Sequence, residues 1–297
     1  MNCFNLWTRY TAKLRNSSKT GKVVRLNKYS GIVCWFSGGR DSALACYFSK
    51  KVADIRGWDF RLVHINTKTP RPNDVDKYIW EYAKWLKAPL QIISPKKSFA
   101  ELAVEYGLWP LLWHIRWCYF DLKYNVIVEF LKQDSRALEA LHVFAVRRDE
   151  SLFRSRHYGK VFDVKCYRPG LCVNVWLPLL YFDSQTVDRL IKRFNIPQSP
   201  VWYKIGSSGE CMCLAGTSLK TLRLIAIHYP DVMEELAKID DAIQTVRRKG
   251  PSYPAPLVGK KLTLRQWWEE FKRRPRIDYY LDNHNYEGKR CQGSCIL

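Results

Sequence analysis

Gly31-Ile32-Val33-Cys34-Trp35-Phe36-Ser37-Gly38-Gly39-Arg40-Asp41-Ser42 is the stretch on which the fold turns. Its first six residues are a continuous apolar run rich in β-branched and aromatic side chains, which reads as a parallel strand buried on both faces. Residues Ala43 to Val52 are helical in composition. The six residues from Ser37 to Ser42 therefore turn a strand into a helix. Gly38 and Gly39 let the backbone bend tightly and approach a ligand without a Cβ in the way. Loop amides and a helix N-terminus together suit a phosphate or pyrophosphate group. Ser37 and Ser42 offer hydroxyls to phosphate oxygens, and Arg40 offers charge. Asp41 is out of place beside an anion, so it is expected to cap the helix or to help hold Mg²⁺. The loop is neither a Walker A sequence nor the Gly-x-Gly-x-x-Gly of dinucleotide-binding folds.

Outward from this loop the chain alternates strand and helix. Phe60–Asn66 reads as a second strand, Leu90–Ile93 as a third and Leu141–Val146 as a fourth, with Val173–Leu177 as a candidate fifth. Asn73–Leu86, Leu122–Leu131 and Ser184–Phe194 are helical, the last with Asp183 as its cap. Strands separated by helices predict an α/β fold with a doubly wound parallel sheet, Rossmann-like in architecture. Leu219 to about Arg248 reads as further helix, and Gly250–Pro256 as a Pro-rich break. The expected organisation is a basic N-terminal arm (1–29), a nucleotide-binding α/β domain (30–200), a Cys-loop with a helical extension (201–249) and a basic, Trp-rich C-terminal segment (250–297). No internal repeat is visible.

The chain has 297 residues, with 49 Lys and Arg against 28 Asp and Glu, a formal net charge of +21. Its 47% hydrophobic content supplies a core and excludes global disorder. A charge of that size favours polyanionic partners. No apolar run reaches the roughly 18 residues of a membrane span, and no secretory leader pattern is seen, so a cytoplasmic protein without a membrane role is expected. No Asp or Glu precedes Asp41, whereas Arg9, Lys13, Arg15, Lys19, Lys22, Arg25 and Lys28 do. That segment reads as a solvated tail, a phosphate-touching arm or a transit peptide. Beyond residue 246, Trp267-Trp268 to Arg276 interleaves aromatic and basic residues, a composition suited to stacking bases and neutralising phosphates.

Two further blocks carry a resemblance. Ser37–Ser42 is similar to the PP-loop, Ser-Gly-Gly-x-Asp-Ser, of the ATP pyrophosphatase and PAPS reductase superfamily. Arg116-Trp117-Cys118-Tyr119-Phe120-Asp121-Leu122-Lys123 resembles the Arg-Trp-Cys-Thr-x-x-x-Lys block of its PAPS reductase-like branch. Ala145-Val146-Arg147-Arg148-Asp149-Glu150-Ser151-Leu152-Phe153-Arg154 resembles that branch's Gly-x-Arg-x-x-Glu-Ser-x-x-Arg block. Order and spacing agree over about residues 30–240, with Ala145 in place of the Gly and Tyr119 in place of the Thr. The resemblance implies a site for an adenine nucleotide, ATP or PAPS, with Mg²⁺, at the C-terminal ends of the strands. Arg116, Lys123, Arg147 and Arg154 would face phosphate or sulfate oxygens, as planar guanidinium groups do well. Glu150 would orient an arginine or help bind Mg²⁺, and Asn66 would lie near the adenosine.

Ten cysteines are present. Cys34, Cys46, Cys166 and Cys172 lie in apolar stretches and read as small hydrophobes. Cys211 and Cys213, and Cys291 and Cys295, form close pairs in loop-like sequence, a pattern of metal or redox chemistry. By resemblance to the DNA phosphorothioation branch and to APS reductases, Cys118, Cys211 and Cys213 with Cys291 or Cys295 would hold an iron–sulfur cluster, or zinc instead. Free core thiols, or a Cys291–Cys295 disulfide, are the plainer readings. The resemblance implies ATP-dependent adenylylation of an acceptor, a nucleic acid being favoured by the charge, followed by transfer from a sulfur donor. Its alternative is reduction of PAPS or APS to sulfite by a thiol reductant, and a non-enzymatic nucleotide- or nucleic-acid-binding module ranks third.

Overall fold

The computed structural model describes residues 29–110, 116–215, 217–246 and 262–273. Its centre is a six-stranded sheet in the order β3-β2-β1-β4-β6-β5. The strands are β1 (Gly31–Trp35), β2 (Asp59–Ile65), β3 (Leu90–Ile93), β4 (Leu141–Val143), β5 (Phe162–Arg168) and β6 (Leu171–Trp176). Neighbours pair in parallel except β5 and β6, which form an antiparallel hairpin. The expected α/β, doubly wound sheet is therefore present, with one antiparallel edge strand.

The chain leaves β1 for α1 (Arg40–Arg56), then β2, α2 (Asn73–Leu86), β3 and α3 (Phe99–Tyr106). It continues through α4 (Trp117–Tyr119) and a π-helical turn (Phe120–Tyr124) into α5 (Asn125–Gln133), and then α6 (Ser135–Glu139) leads into β4. Strand order thus runs one way from β1 to β3 and resumes on the other side of β1 with β4. The reversal point lies between β1 and β4, where open α/β sheets bind ligands at their C-terminal strand ends.

All five residues of β1 are buried, as a strand covered on both faces requires. Alternation sorts its neighbours. Cys34 bonds Cys46 of α1, and Phe36 stacks on Tyr82 of α2 at 4.4 Å between ring centroids. Trp35 points to the opposite face, where it meets Phe130 of α5. The two faces of the sheet are thereby clothed by different helices.

Several expectations change. The fourth strand leaves the ladder after Val143, although Phe144 still donates its amide to the Trp176 carbonyl (3.2 Å). β5 is an unanticipated strand, an edge strand with few buried positions. It turns into β6 at Pro169-Gly170, Gly170 having φ +79°, the backbone that a turn of this composition needs. Cys166 and Cys172 face each other across that hairpin and are disulfide-bonded. These two cysteines and the Cys34–Cys46 pair are cross-links, not the free small hydrophobes that their apolar surroundings imply. The run from Leu219 is two helices, α10 (Leu219–His228) and α11 (Pro230–Val246), after α7 (Leu152–His157), α8 (Ser184–Arg193) and α9 (Pro200–Ile205). Pro230 has no amide hydrogen to continue a helix but is well suited to begin one. Asp183 caps α8 as expected, accepting from the Thr186 amide at 2.6 Å.

The C-terminal segment contains α12 (Leu264–Arg273), which packs on α11. Leu264, Trp267 and Trp268 are buried, and the Trp268 indole donates to Glu234 at 2.9 Å. These tryptophans are core anchors, so the expected role of Trp267-Trp268 in stacking bases is not what the fold gives them. Asp240 ties the region together: it accepts from the Trp109 indole (2.9 Å) and from the Leu264 amide (2.8 Å). The N-terminal arm, the break at 250–256 and the terminal cysteines lie outside the described residues.

Candidate functional site

The turn after β1 is held from within. Gly38 has φ +73°, a conformation that favours glycine. Ser37 Oγ donates to Ser42 Oγ (3.1 Å), and Ser42 Oγ donates to the Gly39 carbonyl (2.8 Å). Gly39 occupies the N-cap position of α1 without a side-chain cap. Asp41 is therefore not the helix cap. It sits in the first turn, where a carboxylate also suits the helix dipole.

The Asp41 carboxylate accepts from Arg147 Nη1 at 3.0 Å. Arg147 lies just beyond β4, so this ion pair spans the reversal point of the sheet. Its guanidinium also reaches Asp149 at 3.0 Å. Asp149 in turn accepts from the Ser184 amide at the start of α8. Burial pushes the Asp41 carboxyl above its usual range, against the pull of Arg147 and Arg40. Glu150 ion-pairs with Arg154 and accepts from the Arg147 amide at 3.4 Å.

Arg40 is directed to α8. It donates to Asp188 (2.7 Å) and Ser184 (2.9 Å), and its guanidinium lies over the Trp202 ring at 5.0 Å. Arg116 lies over the Tyr119 ring at 5.4 Å. Asn66 follows β2, where its side chain accepts from the Lys68 amide at 2.9 Å. Neither residue is among those lining the cleft described next.

That cleft opens at the C-terminal ends of β1, β2 and β4. It is lined by Trp35, Phe36, Ser37, Ser42, Val63, Ile65, Lys123, Ile127, Phe144, Ala145 and Glu210. Apolar and aromatic walls with a few converging polar groups are typical of small-molecule sites. The structure brings together Ser37 and Ser42 from the first motif, Lys123 from the second and Ala145 from the third. Ala145 stands where the family pattern has Gly and forms part of the wall.

Glu210 is the residue that sequence reasoning missed. It is buried, lines the cleft and pairs with Lys123 at 3.4 Å. The loop that carries it folds back over the PP-loop: a Cβ placed on Gly39 would lie 3.8 Å from Ser208 Cβ. A lone carboxylate in a Gly/Ser/Cys loop was the available signal, overshadowed by the adjacent cysteines. His64, at the end of β2, was also passed over. It is fully buried, with Nδ1 2.9 Å from the Phe36 carbonyl oxygen and Nε2 3.4 Å from Arg71 Nη1. Burial holds its pKa down.

Cys118 and Cys213 are buried, Cys211 is half-buried, and none of the three is in a disulfide. A hydrogen bond with Cys213, together with burial, holds the Cys211 thiol far above its ordinary pKa. Among the described residues no three of His, Cys, Asp and Glu are placed to hold a metal ion. Cys118, Cys211 and Cys213 therefore do not converge as cluster or zinc ligands, which need deprotonated thiolates facing one point. Cys291 and Cys295 lie outside the described residues. No helix among the described residues is long and apolar enough to cross a membrane.

Comparison with known proteins adds the following. No curated protein matches the chain by sequence. Among solved structures, a phosphoadenylyl-sulfate (PAPS) reductase from Candida auris, as its phosphate complex, is 15% identical with a TM-score of 0.45, covering 60% of this chain and 80% of that one. A Candida glabrata FMN adenylyltransferase in complex with FMN and the ATP analogue AMPCPP is 15% identical with a TM-score of 0.44, covering 66% and 59%. The phosphoadenosine phosphosulfate reductase domain matches residues 5–215. That span takes in β1, the PP-loop, the Arg147 segment and the Glu210 loop, and the chain belongs to the phosphoadenosine phosphosulfate reductase domain family.

Proposed function

We propose that this chain is an enzyme acting on an adenine nucleotide, and that its nucleotide is ATP, cleaved between the α- and β-phosphates. An acceptor oxygen attacks the α-phosphorus and pyrophosphate leaves. A sulfur donor then displaces AMP from the adenylylated acceptor. The observation that carries this reading is the intact Ser37–Ser42 loop, placed at the reversal point of the sheet and bridged to the Arg147 segment by the Asp41 ion pair.

In this reading the loop amides and the hydroxyls of Ser37 and Ser42 bind the phosphates. Arg147 and Lys123 supply positive charge, held in place by Asp41 and Glu210. Trp35, Phe36 and Phe144 give the nucleotide apolar walls. Such a site works by positioning and by fixed electrostatics, not by covalent chemistry of its own. Mg²⁺ entering with the nucleotide would supply charge to its phosphate oxygens. No step is assigned to an iron–sulfur cluster. The net charge of +21 supports a polyanionic acceptor, a nucleic acid.

A second reading, reduction of PAPS or APS to sulfite, is supported by the name of the matching domain. It requires a thiolate to attack the sulfur. Cys211 is poorly suited, because its thiol is held protonated.

Incubating the protein with Mg²⁺ and either ATP or PAPS separates the two. Pyrophosphate from ATP is the expected product, and sulfite from PAPS without ATP turnover would reverse the order. Ser42→Ala is expected to lower nucleotide turnover by about 100-fold, the scale of one lost oxyanion donor. Full turnover in that variant would remove the loop from the site.

A further inference from the structure

We infer that the short helix α7 and the adjoining Tyr181 form a platform for single-stranded nucleic acid beside the nucleotide site. The inference rests on the polyanionic acceptor of the proposed function and gives that acceptor a place to bind. Its starting point is exposed apolar surface. Leu152 is 77% exposed, Phe153 50% and Tyr181 47%. Large apolar side chains grouped on a surface mark an interaction site.

The rings are set against an imidazole and a guanidinium. Phe153 stacks on His157 with centroids 3.8 Å apart and planes 20° apart. The Arg148 guanidinium lies 5.6 Å from the Tyr181 ring centroid. Arg148 also donates to the Ser155 carbonyl (2.8 Å), and the Tyr181 hydroxyl donates to the Gly159 carbonyl (2.8 Å). These bonds fix Tyr181 to the end of α7, so the patch is preorganised.

Its charge is one-sided. Between Arg147 and Lys160 there are five Lys and Arg and two carboxylates. Both carboxylates are engaged internally, Asp149 by Arg147 and Glu150 by Arg154. Arg156, His157 and Lys160 are exposed. Aromatic faces interleaved with cations are the chemistry of sequence-tolerant single-strand binding, in which bases stack and phosphates are neutralised. An anionic membrane would share the charges, but it would not need rings clamped against guanidinium and imidazole groups. The platform adjoins the reaction site by covalent continuity: Arg147, which reaches Asp41, is followed directly by Arg148, which reaches Tyr181. The buried Trp267 and Trp268 leave this stacking role open.

The test uses the full chain and labelled single-stranded RNA and DNA of about 12 nucleotides, within the roughly 4–16 that one binding surface spans. Phe153→Ala and Tyr181→Ala are each expected to weaken binding about tenfold, the scale of one lost base–aromatic stack. Phe153→Trp is expected to retain it. The Arg156→Ala/Lys160→Ala double variant is expected to reduce the slope of log affinity against log salt by about 1.4, two phosphates at roughly 0.7 each. Comparison of the two oligonucleotides assigns the acceptor to RNA or DNA. Binding of an ATP analogue is expected to be unchanged in all four variants. Oligonucleotide binding that ignores Phe153 and Tyr181 overturns the inference. So does Phe153-dependent binding to phosphatidylserine vesicles in place of oligonucleotide. Parallel loss of ATP-analogue binding would make these residues structural and overturn it equally. Intact, Phe153-dependent oligonucleotide binding in a parent protein that cleaves no ATP would sink the proposed reaction and leave the platform standing.

Discussion

His142 makes the fold sensitive to acid. It lies on β4, fully buried. Its Nδ1 accepts from the Trp35 indole at 3.0 Å, and its Nε2 lies 2.7 Å from the Ala137 carbonyl oxygen. That pair of partners fits one neutral tautomer, with the proton on Nε2. A second proton on Nδ1 would face the Trp35 N–H, donor against donor. Burial pushes the pKa from 6.5 down to about 4, with Arg61 acting in the same direction and the Ala137 bond opposing. The unfolded chain takes up the proton first, so the neutral ring stabilises the fold above pH 6.5. This contribution is lost as the pH falls from 6.5 towards 4. At about 1.36 kcal/mol per decade it amounts to about 3 kcal/mol in full and about 2 kcal/mol by pH ~5. Urea unfolding at pH ~8 and pH ~5 measures it, read against His142→Gln to remove the other carboxylates and histidines from the comparison. The parent is expected to lose about 2 kcal/mol more than the variant over that interval. Trp35 stacks on Phe144 at 5.7 Å, and both rings line the cleft, so nucleotide affinity should hold where the folded-state ring is still neutral and weaken only as the pH approaches about 4, where that ring itself takes up the proton. Parallel stability loss in parent and variant would refute the buried neutral imidazole.

The other expectations concern packing. Gly209 has φ +69°, and a Cβ there would lie 2.6 Å from Val201 Cγ1. Gly209→Ala should cost about 1–3 kcal/mol in thermal or urea unfolding and should weaken nucleotide binding by displacing Glu210; a neutral result would mean that the loop does not pack as described. Asp240→Ala removes the shared acceptor of Trp109 and Leu264. About 2–4 kcal/mol should be lost as their buried donors go unpaired, with earlier proteolytic cleavage near α12, and unchanged cleavage would count against the anchoring.

The apolar strand runs were the legible part of this chain. β1 stands out because a parallel strand covered on both faces must be apolar along its length, whereas β3 is an edge strand with no fully buried residue and was legible through Leu90, Ile92 and Ile93. β5 did not, because an edge strand with half-exposed charged residues has the composition of a loop. Helix α3 went unread although Ser98 and Glu101 form a capping box before its apolar run. In α12 the buried Leu264, Trp267 and Trp268, with Phe271 packed beside them, have helical spacing on one face. The surrounding Arg and Lys drew the reading towards nucleic acid instead. In the site, single motifs were readable and their pairing was not. Nothing local to Asp41 announces a partner 106 residues away, and nothing local to Lys123 announces Glu210. The cysteines show the same limit: pairing depends on which Cβ vectors the fold brings face to face.

These pairings bear on what the charge of +21 is for. Inside the cleft and at its edge the cations are matched: Lys123 by Glu210, Arg147 by Asp41 and Asp149, Arg154 by Glu150, Arg40 by Asp188. The nucleotide pocket is therefore close to electrically balanced, although it belongs to a strongly basic chain. Phosphates entering it meet directed donors, and the arginines must exchange one carboxylate partner for another. Such exchange favours selectivity over strength, because the gain is a difference between two charge-assisted hydrogen bonds. The surplus is carried elsewhere, at exposed groups such as Arg156 and Lys160, where Coulombic attraction is long in range and screened by salt. A balanced pocket beside a basic rim divides the work in the proposed reaction. The small anion is recognised by geometry, and the large one is gathered by field and then held by rings.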